Sequence, residues 1–539
     1  MATLKKSKFL EGAYIATACI IVSKILGIIY VIPFYDIIGT QGGALYGYAY
    51  NIYNVFLNIS CVGIPFAICK LTSEYQALGQ DDKKIRMYRL TTSFVLLFSL
   101  ISFLACFIFA GPIAQLIIGN IKDGNKIEDV VFVIRCISVA LLIVPITSVK
   151  RGYLQGHKFI SQPSLSQVVE QFARIVVILV GSFLIMKLTG DVKSAVGVSV
   201  LAAGIGGLAA YIYLSVVVRG GRDALGLGKP VKSTRAEDRQ IIKDVVVCAV
   251  PFIIINVANT LYSSTDMILV LNTLPKLGFS SADTEFVSSV LTTWGTKFNA
   301  IISAVSTGLI VSLIPHIVSD FTKKNMDMVN SNFNKCLKMI IMIIVPLACF
   351  ISVMSNSFWT VFYGKSEIGS NMLRLTILVT ILDCLYMVMN SLMQSLNKKY
   401  FVYVSVLSGL IANLALDIPF MYLFKAMSLP AYYGAVIATL LGFLISNTIS
   451  MIYLKKTLSL EFKETVKAIP LAALAIAALV AVGLVCKLFL PIDSESAITQ
   501  IFNIAVSGVL CGGVYLVISF KALKTILPAK ILKLLKIKH

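Results

Sequence analysis

The sequence predicts an all-α polytopic membrane protein with fourteen transmembrane helices, arranged as two six-helix lobes related by pseudo-twofold symmetry plus two C-terminal helices. Three observations predict this class: the composition, a series of long apolar runs, and an internal repeat. Of the 539 residues, 58% are hydrophobic and only 14% are charged, whereas about a quarter of the residues of a soluble domain are charged. Hydrocarbon therefore surrounds most of the chain.

Fourteen apolar runs are long enough to cross a bilayer as helices, which takes about 20 residues. The residues between them include the Gly, Pro, Asn and Asp expected at breaks. The N-terminal MATLKKSKF carries the positive charge of a signal peptide, but the apolar run after it is long and no small-residue cleavage site follows, so we predict an uncleaved first span. The predicted spans are residues 13–39, 44–69, 90–111, 128–149, 165–187, 195–218, 241–273, 286–318, 337–361, 370–393, 401–424, 432–454, 466–490 and 499–520.

Basic residues orient these spans. The net charge of +21 comes from short clusters between apolar runs, which is typical of cytoplasmic loops and not of nucleic-acid binding. With the N-terminus inside, KKIRMYR (83–89), KRGYLQGHK (150–158), the stretch 219–243 and the tail 521–538 share its side. The sequence thus predicts both termini in the cytoplasm, an even number of spans and no nucleic-acid partner.

The repeat divides the chain. YAYNIYNVFLNISCVGIPFAICKLTSEY (48–75) aligns without gaps on WGTKFNAIISAVSTGLIVSLIPHIVSDF (294–321), so that Ser60 meets Ser306 and Ile68 meets Ile314. Six spans are an even number, so both halves have the same orientation and the duplication is of the parallel kind found in some transporters. The predicted domains are an N-lobe (1–218), a basic cytoplasmic linker (219–240), a C-lobe (241–460) and a C-terminal helix pair with a basic tail (461–539).

Two lysines lie where hydrocarbon is expected. A charge at the centre of a span costs roughly 2.5–3.5 kcal/mol on insertion scales, yet Lys24 lies in the first span and Lys297 in the eighth, neither with an acid within four residues. A phosphate is the ligand that such cations suit. The alternative is that each lysine extends to the interface or pairs with an acid on another helix. Arg135 and Arg174 also lie within spans, and Glu170 precedes Arg174 by four residues, the spacing of a helical ion pair.

Oxygen-bearing side chains form a second predicted group. Asp266 lies in the seventh span, Asp383 in the tenth, Asn413 and Asp417 one helical turn apart in the eleventh, and Thr439 in the twelfth. Such ligands suit a hard cation such as Na⁺; interhelical hydrogen bonding by protonated carboxylates is the alternative. The eleven cysteines are scattered without a CxxC pair and only three histidines exist, so we expect no metal cluster or disulfide framework and no cofactor beyond a coupling ion.

SKILGIIYVIPF with GTQGGALYGYAYNIYNVFLNIS (39–60), and the RGYLQG…SQVVEQ block within residues 132–175, carry a family likeness. The chain resembles the stage V sporulation protein B/YtgP group of MurJ-type lipid II flippases, within the multidrug/oligosaccharidyl-lipid/polysaccharide exporter superfamily. The resemblance implies a V-shaped pair of lobes around a cationic cavity for the pyrophosphate and sugar-peptide head of an undecaprenyl-linked precursor, and a groove of the last two helices for its lipid tail. Lys24 and Lys297 match positions that are usually basic in this family, whereas Tyr30 and the region of Asn58 depart from arginines found in other members.

The predicted substrate-binding residues share a place in the first, second, fourth, fifth or eighth span. They are Lys24, Lys297, Tyr30, Tyr46, Tyr50, Asn51, Asn58, Arg135 and Arg174, with Tyr53 and Asn54 nearby. Some relatives bind sodium between the seventh, eleventh and twelfth helices, which implies a Na⁺ site at Asp266, Asn413, Asp417 and Thr439. The expected partners are undecaprenyl-linked lipid II, membrane lipids and the cell-wall synthesis machinery.

Four other functions compete with lipid II flipping, and one of them, a scaffold for division proteins, would not need charges within the membrane. A flippase for another lipid-linked polysaccharide precursor needs the same pyrophosphate pocket. A cation-coupled multidrug exporter needs an anionic or aromatic cavity, where this chain offers lysines. An enzyme acting on lipid-linked sugars needs a catalytic domain or a large extracytoplasmic loop, and the sequence contains neither. We therefore predict a transporter of the bacterial cell membrane and not an enzyme.

Overall fold

Apolar side chains dominate nearly every segment, so the backbone must satisfy its own N–H and C=O groups, and a helix does this within one segment. The computed structural model describes residues 19, 22–60, 63–119, 124–227, 234–396 and 398–526. Within these ranges the chain forms helices joined by short turns, without a strand. The all-α prediction is confirmed. By packing, the chain divides into two compact units, Met1–Ser289 and Val290–His539.

The first unit contains eleven helices in the residues described. They are α1 (22–29), α2 (Val31–Ser60), α3 (Ile64–Ala77), α4 (Asp81–Ile108), α5 (Ala110–Ile118), α6 (Ile127–Ser138), α7 (Ala140–Gly156), α8 (Ser161–Thr189), α9 (Val192–Gly220), α10 (Arg235–Thr273) and α11 (Ser281–Ser289). A short 3₁₀ turn, Pro275–Leu277, follows α10.

The second unit begins with a π-helical turn, Val290–Trp294, and a second such turn covers Ile340–Ile344. Its described α-helices are α12 (Gly295–Thr322), α13 (Met326–Met339), α14 (Val345–Val353), α15 (Ser355–Tyr363), α16 (Glu367–Ser395), α17 (Lys399–Ala426), α18 (Tyr432–Leu458), α19 (Lys463–Phe489) and α20 (Ala497–Ile526).

Among the described residues, twelve helical stretches are long and apolar enough to cross a membrane. The chain is therefore a multi-pass membrane protein. The stretch Val31–Ala77 runs through parts of the first two predicted spans, and α12, which overlaps the predicted eighth span, is not one of the twelve. Most of the predicted first span before residue 22 and the basic tail after residue 526 lie outside the described residues.

Gly39 breaks α2 between the first two predicted spans. Its φ of 66° and ψ of −172° lie outside the helical region, in a part of conformational space that is essentially restricted to glycine. The range given for α2 therefore contains two helical segments that meet at a kink at Gly39.

Helix α10 packs into the first unit, although the predicted lobe boundary falls before it at 219–240. It begins with a capping box in which the Thr234 hydroxyl accepts from the backbone N–H of Glu237, whose side chain accepts from the backbone of Thr234. Near the start of α4, the Arg86 guanidinium donates two parallel hydrogen bonds to the Asp238 carboxylate. The basic segment is thus fastened to the first unit at its α10 end.

The last two helices, predicted as a separate pair, pack into the second unit. Ala475 of α19 and Cys511 of α20 are buried with Met342 in one apolar cluster. The Tyr515 hydroxyl donates to the backbone oxygen of Met342 over 2.7 Å. This π-helical turn therefore supplies an acceptor for α20, since a π turn leaves a carbonyl group out of the regular helical pattern.

Candidate functional site

Four tyrosines form a hydroxyl-bearing cluster in the first unit, in which Tyr30, Tyr46 and Tyr53 are buried. Tyr46, Tyr50 and Tyr53 lie at helical spacing on one face of α2, with ring centroids 4.5 Å apart for the first pair and 6.0 Å for the second. The Tyr30 hydroxyl is 3.4 Å from that of Tyr46. Three of these tyrosines are among the predicted substrate-binding residues, and the structure brings them together.

An ion-pair cluster lies beside the tyrosines. Glu170 accepts hydrogen bonds from Arg174 at 2.6 Å and from Arg151 at 2.8 Å, so the Arg174–Glu170 pair expected from helical spacing is confirmed. Arg174 is within electrostatic range of Tyr46, Tyr50 and Tyr53. Two guanidinium groups share one carboxylate, and the cluster therefore keeps one net positive charge.

One donor group of the Arg174 side chain, its Nε–H, makes no hydrogen bond within the described structure. Its buried Nε–H has no hydrogen-bond acceptor among the described residues. A buried polar group in this condition is normally met by water or by a ligand. This N–H is of the kind that donates to a charged acceptor such as a phosphate oxygen.

Lys24 lies on α1 and is half-buried. One turn further along, Gly27 packs so tightly on α8 that a Cβ atom there would lie 3.2 Å from Nε2 of Gln171. Gln171 directly follows Glu170, so α1 rests on the part of α8 that carries the ion-pair cluster. Within the described part of the chain, no carboxylate forms an ion pair with Lys24.

Lys297 is half-buried on α12 in the second unit, next to the buried Phe298. Gly295 stands two residues earlier, where a Cβ atom would lie 2.7 Å from the Val290 oxygen. The π-helical turn thus needs a glycine just before the lysine. Lys24 and Lys297 belong to different compact units.

Arg135 lies in a different environment from Arg174. It is exposed in the last turn of α6, and its guanidinium carbon is 5.1 Å from the centroid of the Phe107 ring on α4. The structure therefore gives Arg135 an aromatic contact and does not place it in the Glu170 cluster. Its predicted substrate role stays a prediction.

Asn51 and Asn58 hold α2 against α10. The Asn51 amide donates to the Ser263 hydroxyl over 3.0 Å and accepts from the Ser264 hydroxyl over 2.6 Å, and Asn58 donates to Thr260. These contacts form what we call the α2–α10 polar seam: Asn51, Asn58, Thr260, Ser263 and Ser264. Both asparagines are predicted substrate-binding residues, whereas the seam was not predicted, since its only local sequence signal is the hydroxyl run TLYSST (260–265).

The predicted cation ligands fall in both units. Asn413 and Asp417 are fully buried one turn apart on α17, and the Asn413 amide donates to the Thr439 hydroxyl over 3.3 Å. Their oxygens match the donor chemistry of a hard cation. Asp266 is buried on α10 in the first unit. Across the described residues, no group of three or more His, Cys, Asp and Glu side chains is arranged to hold a metal.

Sequence reasoning also missed a buried carboxylate on α11. Glu285 is only 3% exposed. It accepts from the backbone N–H of Asn125 over 2.8 Å and from the Asn125 amide over 3.0 Å. The same amide donates to the Gln41 oxygen over 3.1 Å. One asparagine therefore joins the turn before α6 to α2 and α11.

A polytopic all-helical protein with cationic groups inside its spans is the architecture of a membrane transporter. The chain belongs to the polysaccharide biosynthesis protein family, whose sequence model matches residues 9–313. The family-level resemblance noted from the sequence is confirmed, and the chain is a MurJ-type member of the wider exporter superfamily.

Two Bacillus subtilis (strain 168) proteins are similar along much of the chain. Lipid II flippase MurJ is 32% identical over 470 residues, which cover 86% of this chain and 85% of the relative. Stage V sporulation protein B is 24% identical over 366 residues, covering 67% of this chain and 68% of the relative.

Solved structures show the same fold. Lipid II flippase MurJ in an inward closed conformation matches with a TM-score of 0.65 at 13% identity, over 93% of this chain and 98% of that chain. An inward-facing multidrug resistance MATE family transporter matches with a TM-score of 0.63 at 14% identity, over 82% of this chain and 98% of the other.

Proposed function

We propose that this protein is a lipid II flippase, which moves the undecaprenyl-pyrophosphate-linked peptidoglycan precursor from the inner to the outer leaflet by alternating access. The observation that carries the proposal is the 32% identity to lipid II flippase MurJ over 86% of the chain. Lipid II flippase MurJ and the MATE family transporter are transporters and not enzymes, and flipping requires no covalent chemistry.

The described side chains suit the phosphate end of such a substrate. Polar sugars and phosphates cannot cross hydrocarbon without compensation, because an unsatisfied polar group costs several kcal/mol there. Lys24, the spare Nε–H of Arg174 and the hydroxyls of Tyr30, Tyr46 and Tyr50 are donors of the kind that a pyrophosphate accepts from. We propose Lys24 and Lys297 as the two point charges that contact it.

We also propose the finer architecture: fourteen helices, two six-helix lobes related by a pseudo-twofold axis, a C-terminal pair, and both termini in the cytoplasm. Matching burial supports the repeat, since Ser60 and Ser306 are 1% and 0% exposed, and Ile68 and Ile314 are 0% and 4% exposed. Residues that were only aligned by sequence thus occupy similar environments in the two halves.

For the coupling ion we propose Na⁺, bound by oxygens of Asn413, Asp417 and Thr439. The support is the burial of this group and the 3.3 Å contact between Asn413 and Thr439. A sodium gradient would then reset the empty carrier. Asp417→Asn is expected to remove the sodium dependence of transport while leaving the protein folded.

The same pocket chemistry serves a second candidate substrate, another undecaprenyl-linked polysaccharide precursor. The description of the matched family, polysaccharide biosynthesis protein, favours this alternative. The two substrates share the pyrophosphate and differ in the sugar, so the phosphate contacts proposed here apply to both.

The test is reconstitution of the purified protein into liposomes with lipid II, followed by head-group accessibility over time. Lys24→Ala and Lys297→Ala should each slow flipping about tenfold or more, because a hydrogen bond to a charged group contributes roughly 1.5–3 kcal/mol. Lys24→Arg should retain most of the rate. Lys187→Ala, which removes an exposed lysine in the last turn of α8, serves as the matched control.

Full flipping by both alanine variants would reject the phosphate contacts. Absence of lipid II flipping by folded wild-type protein would reject this substrate, and flipping of a second undecaprenyl-linked glycan in the same vesicles would then select the alternative. A run with and without a sodium gradient, on wild type and Asp417→Asn, separates ion coupling from substrate binding.

A further inference from the structure

The two parts of the RGYLQG…SQVVEQ block, residues 151–156 and 166–171, meet in the first unit. Arg151 lies near the end of α7, and Ser166 and Glu170 lie one turn apart on α8. The Arg151 Nε–H donates to the Ser166 hydroxyl oxygen over 2.8 Å, and its Nη2 group donates to Oε2 of Glu170, also over 2.8 Å. Arg151 therefore joins α7 to two successive turns of α8.

Ser166 fixes the orientation of Arg151. The Ser166 side chain is fully buried, and its hydroxyl donates to the Pro163 backbone oxygen over 2.6 Å. The proton of the hydroxyl is thus engaged, and its oxygen is left to accept from the Arg151 Nε–H. With one edge of the planar guanidinium held in this way, the Nη2 group is directed to the Glu170 carboxylate.

Arg174 contacts only one oxygen of that carboxylate. It lies one turn beyond Glu170 and donates from Nη2 to Oε1 over 2.6 Å. Arginine–carboxylate pairs are frequently bidentate, and the first unit contains such a pair, in which Arg86 donates from Nε and Nη2 to the two oxygens of Asp238. The second oxygen, which completes the Arg86 pair, is here occupied by Arg151. The Arg174 Nε–H accordingly makes no hydrogen bond in the described part of the chain.

The shared carboxylate also sets the charge of the cluster. One carboxylate neutralises one guanidinium, so Arg151, Glu170 and Arg174 together keep one positive charge. Their side chains are only 15%, 13% and 20% exposed, and a charge that water screens poorly attracts an anion more strongly than an exposed one. Without Arg151, the remaining pair on α8 would be neutral.

Neighbouring helices hold the backbone of α8 at this turn. A Cβ atom built on Gly206 of α9 would lie 2.7 Å from the backbone oxygen of Glu170, and one built on Gly27 of α1 would lie 3.2 Å from Nε2 of Gln171. Both helices thus approach α8 closely where the carboxylate projects. Since the backbone is fixed, the direction of the Arg174 side chain depends on its own contacts.

We propose that Arg151 is a positioning residue for the substrate phosphate. By occupying one oxygen of Glu170, it keeps both the Arg174 Nε–H and one positive charge available to the pyrophosphate. Arg151 acts on the phosphate through Glu170 and Arg174. The inference rests on the pyrophosphate part of the proposed function, and it applies equally to lipid II and to another undecaprenyl-linked precursor.

The test measures binding of farnesyl pyrophosphate, which carries the pyrophosphate without a sugar, to the purified full-length protein by isothermal titration calorimetry. Arg151→Gln leaves a neutral pair of Glu170 and Arg174 and should weaken binding about tenfold, the effect of one charge-assisted hydrogen bond. Adding Glu170→Gln restores one positive charge and releases Arg174, so the double variant should recover most of the lost affinity. Binding of farnesol, the uncharged comparison, should not change.

This recovery separates a positioning role from a structural one. If Arg151 only stabilised the packing of α7 on α8, removing Glu170 as well would lower the affinity further. Unfolding temperatures of all variants report the structural effect separately. Should the double variant fail to fold, Arg151→Lys takes its place, because it keeps the charge and should bind more tightly than Arg151→Gln. Arg86→Gln is the matched control, since it removes an ion-paired arginine elsewhere in the first unit and should leave the affinity unchanged.

Three results would each overturn the proposal: a further loss of affinity in the folded double variant, equal binding by the lysine and glutamine variants of Arg151, or no binding of farnesyl pyrophosphate by wild type. Lipid II flipping by wild type is measured separately. Wild type that shows the expected binding pattern and does not flip lipid II would reject the proposed substrate and leave the role of Arg151 standing. Flipping by wild type without recovery in the double variant would do the reverse.

Discussion

Glu285 shows how burial and hydrogen bonding act on one carboxyl group in opposite directions. Burial raises the pKa of Glu285 above its ordinary value, while the hydrogen bonds from the backbone and side chain of Asn125 oppose that rise. Because the native pKa exceeds the unfolded one, the native state binds the proton more tightly. The contribution of Glu285 to stability is thus fully present below the unfolded pKa and is lost as the pH rises through the native pKa.

Glu285→Gln should therefore flatten part of the pH dependence of stability. The unfolding temperature of the variant minus that of wild type is expected to rise as the pH increases from about 4, close to the ordinary pKa of glutamate, towards neutrality. The measurement is thermal unfolding in detergent across this range. A difference that stays constant with pH would show that Glu285 has an ordinary pKa.

Asp191 supplies a control of opposite sign. The Ser194 hydroxyl, with the backbone N–H groups of Ser194 and Lys193, holds the pKa of Asp191 below its usual value at the start of α9. Its contribution is present above the unfolded pKa and is lost as the pH falls through the native pKa. For Asp191→Asn the variant-minus-wild-type difference should accordingly fall, not rise, with increasing pH.

Among elements, the pairing of α2 with α10 depends on the α2–α10 polar seam. In hydrocarbon an interhelical hydrogen bond contributes about 0.6 kcal/mol on average and up to roughly 1.7 kcal/mol. A double-mutant cycle with Asn51→Ala and Ser264→Ala should give a coupling energy in this range, measured by unfolding in detergent. Asn54→Ala is the matched control, because Asn54 is exposed on the same helix.

Strict additivity of the two substitutions would show that the 2.6 Å contact between Ser264 and Asn51 does not stabilise the protein. A loss for Asn54→Ala as large as that for Asn51→Ala would show that the loss does not depend on the seam hydrogen bonds, because alanine itself favours the helix more than asparagine does. Either result would leave the other contacts of α10 in the first unit, such as the stacked rings of Phe66 on α3 and Phe252 on α10, to hold this helix in place.

Helices and their contacts were predictable where the sequence signal lies within a short stretch of the chain. Apolar length indicates spans, and the four-residue spacing of Glu170 and Arg174 predicts their ion pair. The share of that carboxylate taken by Arg151 was not predictable, because the two residues are 19 positions apart on different helices. The same holds for Asn51 and Ser264, separated by 213 positions. The π-helical turns also escaped, since a single inserted residue leaves the apolar pattern nearly unchanged.

Considering the whole molecule, the charge distribution predicts a defined orientation in the membrane. Single cysteines at Asp82 and Ser494, introduced into a cysteine-free background, should react differently with a membrane-impermeant maleimide. We expect labelling of Ser494→Cys from outside, because it lies in the turn between α19 and α20, and of Asp82→Cys only after permeabilisation. Equal labelling of both positions in intact cells would contradict the predicted topology.

The division of the molecule was only partly predictable. The repeat aligns Ser60 with Ser306, and both are buried, but the compact boundary follows Ser289, and the basic linker at 219–240 precedes it. Charge and composition mark where a chain leaves the membrane. They do not report which neighbours a helix such as α10 packs against, because that choice depends on the long-range partners of the α2–α10 polar seam.

The place of α10 also affects how the chain is made. Synthesis releases the N-terminal end first, at roughly 5–20 residues per second. Until α10 has been inserted, the side-chain amides of Asn51 and Asn58 lack the hydroxyl partners that α10 provides. These amides are then without hydrogen bonds to α10 in the bilayer. A nascent or truncated chain that stops within the linker therefore carries an exposed polar stripe, the kind of surface that attracts insertion chaperones and membrane proteases.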